Sequence, residues 1–180
     1  ALAAGTSLFA NNCATCHGSG GAGVVGYPAL VDDDWLWGGS LADIQATVRH
    51  GVRSADQQSR TSVMQAFGRD GMLKSQEIFD LTDHVLSLSG EPHNAGAATR
   101  AAPLFAQHCA SCHGADGRGN REFGAPNLAD PIWLYGGDRS AIHATIYGGR
   151  GGVMPSWSDK LSEAQVSALA IYVHSLGGGE

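Results

Sequence analysis

The chain has 180 residues, 43% of them hydrophobic, and a formal net charge of −6. That length accommodates one ordinary domain or two small ones, and no run approaches the roughly 20 apolar residues of a membrane span. The charge is spread as 5 basic against 9 acidic residues in 1–90 and 6 against 8 in 91–180, which excludes the basic footprint of a nucleic-acid binder.

The opening stretch ALAAGTSLFA has no initiator Met, basic region or apolar targeting run, so any targeting or anchoring segment is expected to have been removed or to lie outside this sequence. Residues 13–18 then read CATCHG, followed by a glycine-rich loop that includes GSGGAG (18–23). That loop satisfies the G-x-G-x-x-G pattern, but no strand precedes it, so it reads as backbone freedom behind the CxxCH phrase and not as a dinucleotide turn. WLWGGSLADIQATV (35–48) spaces its apolar residues three and four apart and predicts a helix, with Ser40 and Asp43 at capping-box spacing and Gly51 as its stop. VMQAF (63–67) precedes a closing helix predicted over IFDLTDHVLSL (78–88), and the connector SGEPHNAGAAT (89–99) follows.

The same order then recurs. LFANNCATCHG (8–18) aligns with LFAQHCASCHG (104–114) at an offset of 96, and PAL (28–30) with PNL (126–128) at 98. WLWGGSLADIQATV aligns with WLYGGDRSAIHATI (133–146) at 98, VMQAF with VMPSW at 90, and HVLSLSG with YVHSLGG at 88. Two copies with drifting offsets indicate a duplicated domain with loop insertions, since a solenoid would need more repeats of one period. An eight-residue insertion falls within VRSADQQSRTS, ahead of Met64. The second copy predicts a helix over SAIHATI with Gly148 as its stop, and a closing helix over VSALAIYVHSL with Ser162 and Gln165 at capping-box spacing. Strand alternation is nowhere sustained. The expectation is an all-α fold of two tandem domains, 1–90 and 98–180, joined by a linker at 91–97.

All four cysteines lie in the two C-x-x-C-H phrases. A disulfide ignores the following His; a zinc ribbon would have to join pairs separated by 92 residues in different repeats; a thioredoxin-like dithiol needs a βαβ setting. Covalent haem c accounts for every residue: Cys13 with Cys16, and Cys109 with Cys112, form thioethers, while His17 and His113 ligate the iron. Two haems c would also supply the core that about 90 residues cannot assemble alone.

Methionine is the usual second ligand in cytochromes c, and the chain has Met64, Met72 and Met154. Met154 has no rival in the second repeat. The repeat selects Met64 for the first, with Met72 and His50 as the alternatives. Pro28 and Pro126 follow their histidines by 11 and 13 residues, where a carbonyl could accept the imidazole Nδ1–H. Trp35 and Trp133, with Trp37 and Tyr135, are candidates for the haem edge, and Arg53 and Arg150 for its propionates; each of these also has a plain packing or solvated reading.

Beyond CxxCH, the phrases APNLADPIWLYGG, GGVMPSW, ALAIYVHSLGGGE, DDDWLWGG and HGVRSADQQSR closely resemble the dihaem cytochrome c subunit of cbb3-type haem-copper oxidases, subunit III, the CcoP/FixP family. The resemblance implies two class I-like cytochrome c domains on the periplasmic side of the bacterial inner membrane, with no catalytic centre of their own. It implies electrons received from a donor cytochrome c and passed through the monohaem subunit to the catalytic subunit. It also implies His17 with Met64 at one haem and His113 with Met154 at the other, and a membrane contact only through an N-terminal anchor not present in this sequence. The family's Pro after the first axial Met is Gln65 here. A free periplasmic dihaem carrier and the cytochrome subunit of a dehydrogenase are the alternative functions; a dihaem peroxidase would need an iron that opens, which the two Met loops oppose.

Overall fold

The computed structural model describes residues 1–179. Among them, the regular structure is helical: α1 (Leu2–Asn12), α2 (Ala14–His17), α3 (Leu41–His50), α4 (Ser75–Leu88), α5 (Ala95–His108), α6 (Ala110–His113), α7 (Arg139–Gly148) and α8 (Glu163–His174), with one 3-10 turn at Ser19–Gly21. Pairing of extended backbone is confined to isolated bridges.

Local chemistry explains the helix ends. The Ser40 hydroxyl accepts from the Asp43 N–H at the start of α3, and Ile44 and Val48 form its buried face. At the equivalent start of α7 the Asp138 carboxylate accepts from the Ser140 and Ala141 N–H groups, and Ile142 and Ile146 are buried. Ser162 and Gln165 cap α8 reciprocally. The stop after α7 is Gly149 (φ 67°), one residue beyond the expected Gly148, and it matches Gly51 (φ 70°) after α3. Either glycine leaves room that no other residue would. A Cβ on Gly51 would lie 2.4 Å from the Met154 carbonyl, and one on Gly149 would lie 2.5 Å from the Met64 carbonyl.

The helices gather into two compact units that do not follow the order of the repeat. Unit 1 is Ala1–Ser62 together with the stretch that begins at Gly152, and unit 2 is Val63–Gly151. The expected consecutive bodies, 1–90 and 98–180, are therefore corrected: the chain leaves unit 1 before the closing helix of its first repeat and returns for the closing helix of its second. In unit 1, α1 and α3 pack on α8 around Phe9, Ile44, Val48, Val166 and Leu169. In unit 2, α4 packs on α5 and α7 around Ile78, Leu81, Val85, Phe105, Ile142 and Ile146.

The physical reason lies at the connector. Only residues 89–94 separate α4 from α5, and α5 starts at Ala95, inside the stretch expected to be a linker. So short a loop makes an antiparallel helix hairpin the natural outcome, because neighbouring helices close at small entropic cost. Two buried carboxylates on α4 then fasten it. Asp83 accepts from the Asn94 N–H (2.6 Å) and from Arg139 of α7 (2.7 Å), and Asp80 takes both guanidinium arms of Arg100 at 2.9 and 2.8 Å. Arg139 holds the Asp83 carboxyl below the usual carboxylate range, and Arg100 does the same for Asp80, each against the cost of burial.

A carboxylate whose folded pKa is depressed contributes stability above its ordinary value and loses it as pH falls through the lowered one. Asp83→Asn should therefore cost unit 2 about 1–3 kcal/mol at pH 7, measured by urea unfolding. The difference from the parent chain should shrink as the pH drops below about 3.8, the ordinary value for this group.

Candidate haem sites

Each CxxCH phrase is a single helical turn fastened behind a buried phenylalanine. The Cys13 N–H donates to the Phe9 carbonyl (2.8 Å), and the Cys16 and His17 N–H groups donate to the Cys13 carbonyl at 3.1 and 2.9 Å. The second copy repeats this around Phe105, Cys109, Cys112 and His113 with the same three distances. All four thiols are free; Cys13 and Cys109 are half-buried, and Cys16 and Cys112 are exposed. Burial, reinforced by the neighbouring thiol, pushes Cys13 and Cys109 each up to about 11. Three-residue spacing along one turn places the two sulfurs of each pair on the same side as the following histidine.

The histidines are held by the two prolines. His17 Nδ1 lies 3.0 Å from the Pro28 carbonyl, and His113 Nδ1 lies 3.0 Å from the Pro126 carbonyl. A carbonyl can only accept, so each Nδ1 carries the proton and each Nε2 presents its lone pair. Burial pulls His113 below the usual histidine range, against the opposing hydrogen bond from its ring to Pro126, and so favours the neutral imidazole that a metal requires. Gly23 (φ 72°) and Gly119 (φ 83°) let the loop pass behind these prolines, since a Cβ at either would come within 2.6 Å of the proline segment's backbone.

The methionines are placed crosswise. Met154 lies against the unit 1 core with Cys13, Ala14, Leu30 and Trp35. Met64 lies against the unit 2 core with Cys109, Ala110, Leu128 and Trp133. The backbone pins both: Val52 and Met154 exchange hydrogen bonds of 2.9 Å, and Met64 and Arg150 exchange bonds of 2.9 and 3.2 Å. The expected partners, His17 with Met64 and His113 with Met154, do not share a compact unit: the structure puts Met154 in the unit of His17 and Met64 in the unit of His113. The cause is the helix hairpin. Met64 precedes α4 by 11 residues and travels with it into unit 2. The two alternative ligands are elsewhere engaged or exposed, His50 facing Asp56 at 3.2 Å and Met72 standing 47% exposed.

The charged and aromatic candidates divide. Arg150 stacks over Tyr135 (4.1 Å to the ring centre) and donates to the Thr145 hydroxyl. Its counterpart in unit 1 is Arg60, over Trp37 at 5.1 Å and donating to the Thr47 hydroxyl and the Trp37 carbonyl. Arg53, the expected counterpart, instead has positive φ (52°) and spends its guanidinium on the Gly152 and Ser62 carbonyls, at the two points where the chain enters and leaves unit 1. Arg60 was findable, because both Arg60 and Arg150 stand four residues before a Met, whereas Arg53 stands eleven before Met64, ahead of the rest of the inserted loop. The Trp35 indole N–H is committed to the Gly178 carbonyl. Trp133 keeps its place beside Met64, with its ring against Gly137 as Trp35 lies against Gly39.

The donor set suits covalent haem c: two thiols a turn apart, an adjacent imidazole with Nε2 available, and a thioether in the same apolar cluster. Among the described residues no three His, Cys, Asp or Glu side chains gather as a metal-ion cluster. Comparison with known proteins points the same way. A cytochrome c family model matches residues 2–89, and one described as cytochrome c oxidase, cbb3-type, subunit III matches residues 96–173. The cbb3-type oxidase subunit CcoP of Cereibacter sphaeroides is 52% identical over 178 residues, 98% of this chain. The FixP subunits of Azorhizobium caulinodans and Bradyrhizobium diazoefficiens are 52% and 51% identical over 181 residues. The chain is homologous to the CcoP and FixP subunits over its whole length.

It spans 61–62% of the length of these CcoP and FixP relatives. The two family models follow the sequence repeat, whereas the compact units cut across it, so in this chain a repeat and a folded unit are different things. No helix of the described residues is long and apolar enough to cross a membrane. The Arg60 cluster is open to a direct measurement. Arg60→Gln and Thr47→Val should each destabilise unit 1, and their double-mutant cycle should return a coupling of about 0.5–1.5 kcal/mol; Arg150→Gln with Thr145→Val should do the same in unit 2.

Proposed function

We propose that this chain is the electron-carrying part of a cbb3-type oxidase subunit, a helical protein with one covalent haem c in each unit and no catalytic centre of its own. It works on the periplasmic side of the inner membrane, taking electrons singly from a donor cytochrome c and passing them by way of the monohaem subunit to the catalytic subunit. The observation that carries this reading is the doubled arrangement of CxxCH turn, proline-bonded histidine and core-packed methionine.

Cys13 and Cys16 would hold one haem, with His17 and Met154 offering their Nε2 and thioether to its iron; Cys109 and Cys112 would hold the other, with His113 and Met64. A bound haem supplies a one-electron couple at its iron. The chain's own residues set the terms of that couple. The Pro28 and Pro126 carbonyls keep each imidazole in the tautomer that ligates and fix its plane. The Val52–Met154 and Met64–Arg150 backbone pairs hold each methionine segment in place, which would keep the thioether available to a bound haem; an iron so held would suit electron transfer better than the open site a peroxidase needs.

Acid-acetone extraction of the denatured chain should leave two haems attached per polypeptide; colour that moves into the solvent would refute the reading. The crosswise assignment has its own test in a chain carrying Cys13→Ala and Cys16→Ala, which retains the second haem alone. There Met64→Leu should abolish the methionine-to-ferric charge-transfer band, and Met154→Leu should leave it. The reverse outcome would restore the consecutive pairing.

A further inference from the structure

We infer that Asp43 and Arg150 grade the two sites in redox potential, so that the site at Cys109, Cys112 and His113 holds an electron in preference to the site at Cys13, Cys16 and His17. The inference rests on the reading that each unit carries one haem. It begins from the near-identity of the two arginine clusters. Arg60 and Arg150 each stack on an aromatic ring and donate to a threonine hydroxyl. Backbone bridges tie each arginine's segment to a methionine's: the Arg150 backbone pairs with Met64, and the Arg60 backbone pairs with Val52, which pairs with Met154.

The clusters differ in one carboxylate. Asp43 stands 3.9 Å from Arg60 and offsets its charge. The equivalent residue of unit 2 is Ala141, an equivalence visible at the paired glycines: a Cβ on Gly38 would meet the Asp43 carboxylate at 2.4 Å, whereas one on Gly136 would meet the Ala141 methyl at 3.0 Å and, farther off at 3.7 Å, the carboxylate of Asp138, which is spent on the Ser140 and Ala141 N–H groups and forms no ion pair with Arg150. Among the described residues no carboxylate lies within ion-pair distance of Arg150. Unit 2 therefore keeps a positive charge that unit 1 cancels. A reduced iron carries one positive charge fewer than an oxidised one, so an uncancelled cation favours the reduced form.

A further contrast acts in the same direction. His113 is 8% exposed, while His17 is only half-buried; less water around the ligand lowers the local dielectric and penalises the more highly charged oxidised state. One unit charge at about 10 Å and an effective dielectric near 20 shifts a partition by roughly tenfold.

When the two sites hold one electron between them, the site in unit 2 would be the reduced one and the site in unit 1 the oxidised one; no atom or proton is exchanged. The electron comes from a one-electron donor such as a reduced cytochrome, and its departure is to the oxidase.

The test is an optical redox titration of the haem-loaded chain, with haem content measured alongside. Two waves are expected. Asp43→Asn, which retains the Ser40 contact, should raise the lower wave and leave the upper in place. Arg150→Gln should lower the upper wave alone, and Arg150→Lys, which keeps the charge, should restore it. Movement of the upper wave by Asp43→Asn, of the lower wave by Arg150→Gln, or of neither wave by Asp43→Asn would overturn the inference while leaving the haem reading intact. A haem content below two per chain would instead overturn the haem reading itself, and the inference with it.

Discussion

Six residues, 89–94, join α4 to α5, and their shortness organises the molecule. A closing helix that cannot leave its neighbour must pack on it, and Asp80 and Asp83 secure the contact by taking Arg100, Arg139 and the Asn94 N–H. Once α4 belongs with α5, the Met64 loop ahead of it belongs there too. The place on α1 that α4 would have taken is then filled by α8, which brings Met154 with it. An exchange of closing segments between two repeats thus follows from one loop length, and the extra residues of VRSADQQSRTS supply the path from α3 to the exchanged strand.

The exchange preserves each site, because the repeats are interchangeable at the level of parts. Gly51 opens onto the Met154 carbonyl exactly as far along its helix as Gly149 opens onto the Met64 carbonyl, and neither position tolerates a side chain. Arg60 and Arg150 reach equivalent threonines although only one of them follows an insertion. What the two halves do not share is charge and burial around those common parts. Identical ligands in unlike surroundings are a means of making two centres unequal without altering the chemistry that holds them.

Much of this was legible from residues alone. The CxxCH phrases, their prolines, the caps at Ser40 and Ser162 and the closing helices were all read from spacing, because each depends on contacts within one or two turns of chain. The pairing of methionines was not, since the repeat shows which residues are equivalent and is silent on which copy of an equivalent segment fills a given place. That choice is made by loop closure and by the Asp83 contacts, which are visible only once α4, α5 and α7 are assembled. The start of α5 was missed for a related reason: AGAAT reads as a flexible join, and its helix is initiated by Asn94 accepting from the Ala97 N–H and completed by packing on α4. Arg53 was mistaken for Arg60 because the insertion hides the register that counting back from methionine reveals.

The placement of Met154 bears on the order in which the protein can mature. Unit 2 is a continuous stretch, and its histidine and methionine are 49 residues apart in sequence; in unit 1 His17 and Met154 are 137 apart. As the polypeptide emerges from its N-terminus, the first cysteine pair is delivered first and the segment that closes over it last. Local contacts form before distant ones, so unit 2 can reach its final packing while unit 1 is still open along α1, with Phe9 and Cys13 awaiting α8. The first cysteine pair would then remain accessible to whatever enzyme forms the thioethers until α8 has been made. The half that is made first is the half that finishes last.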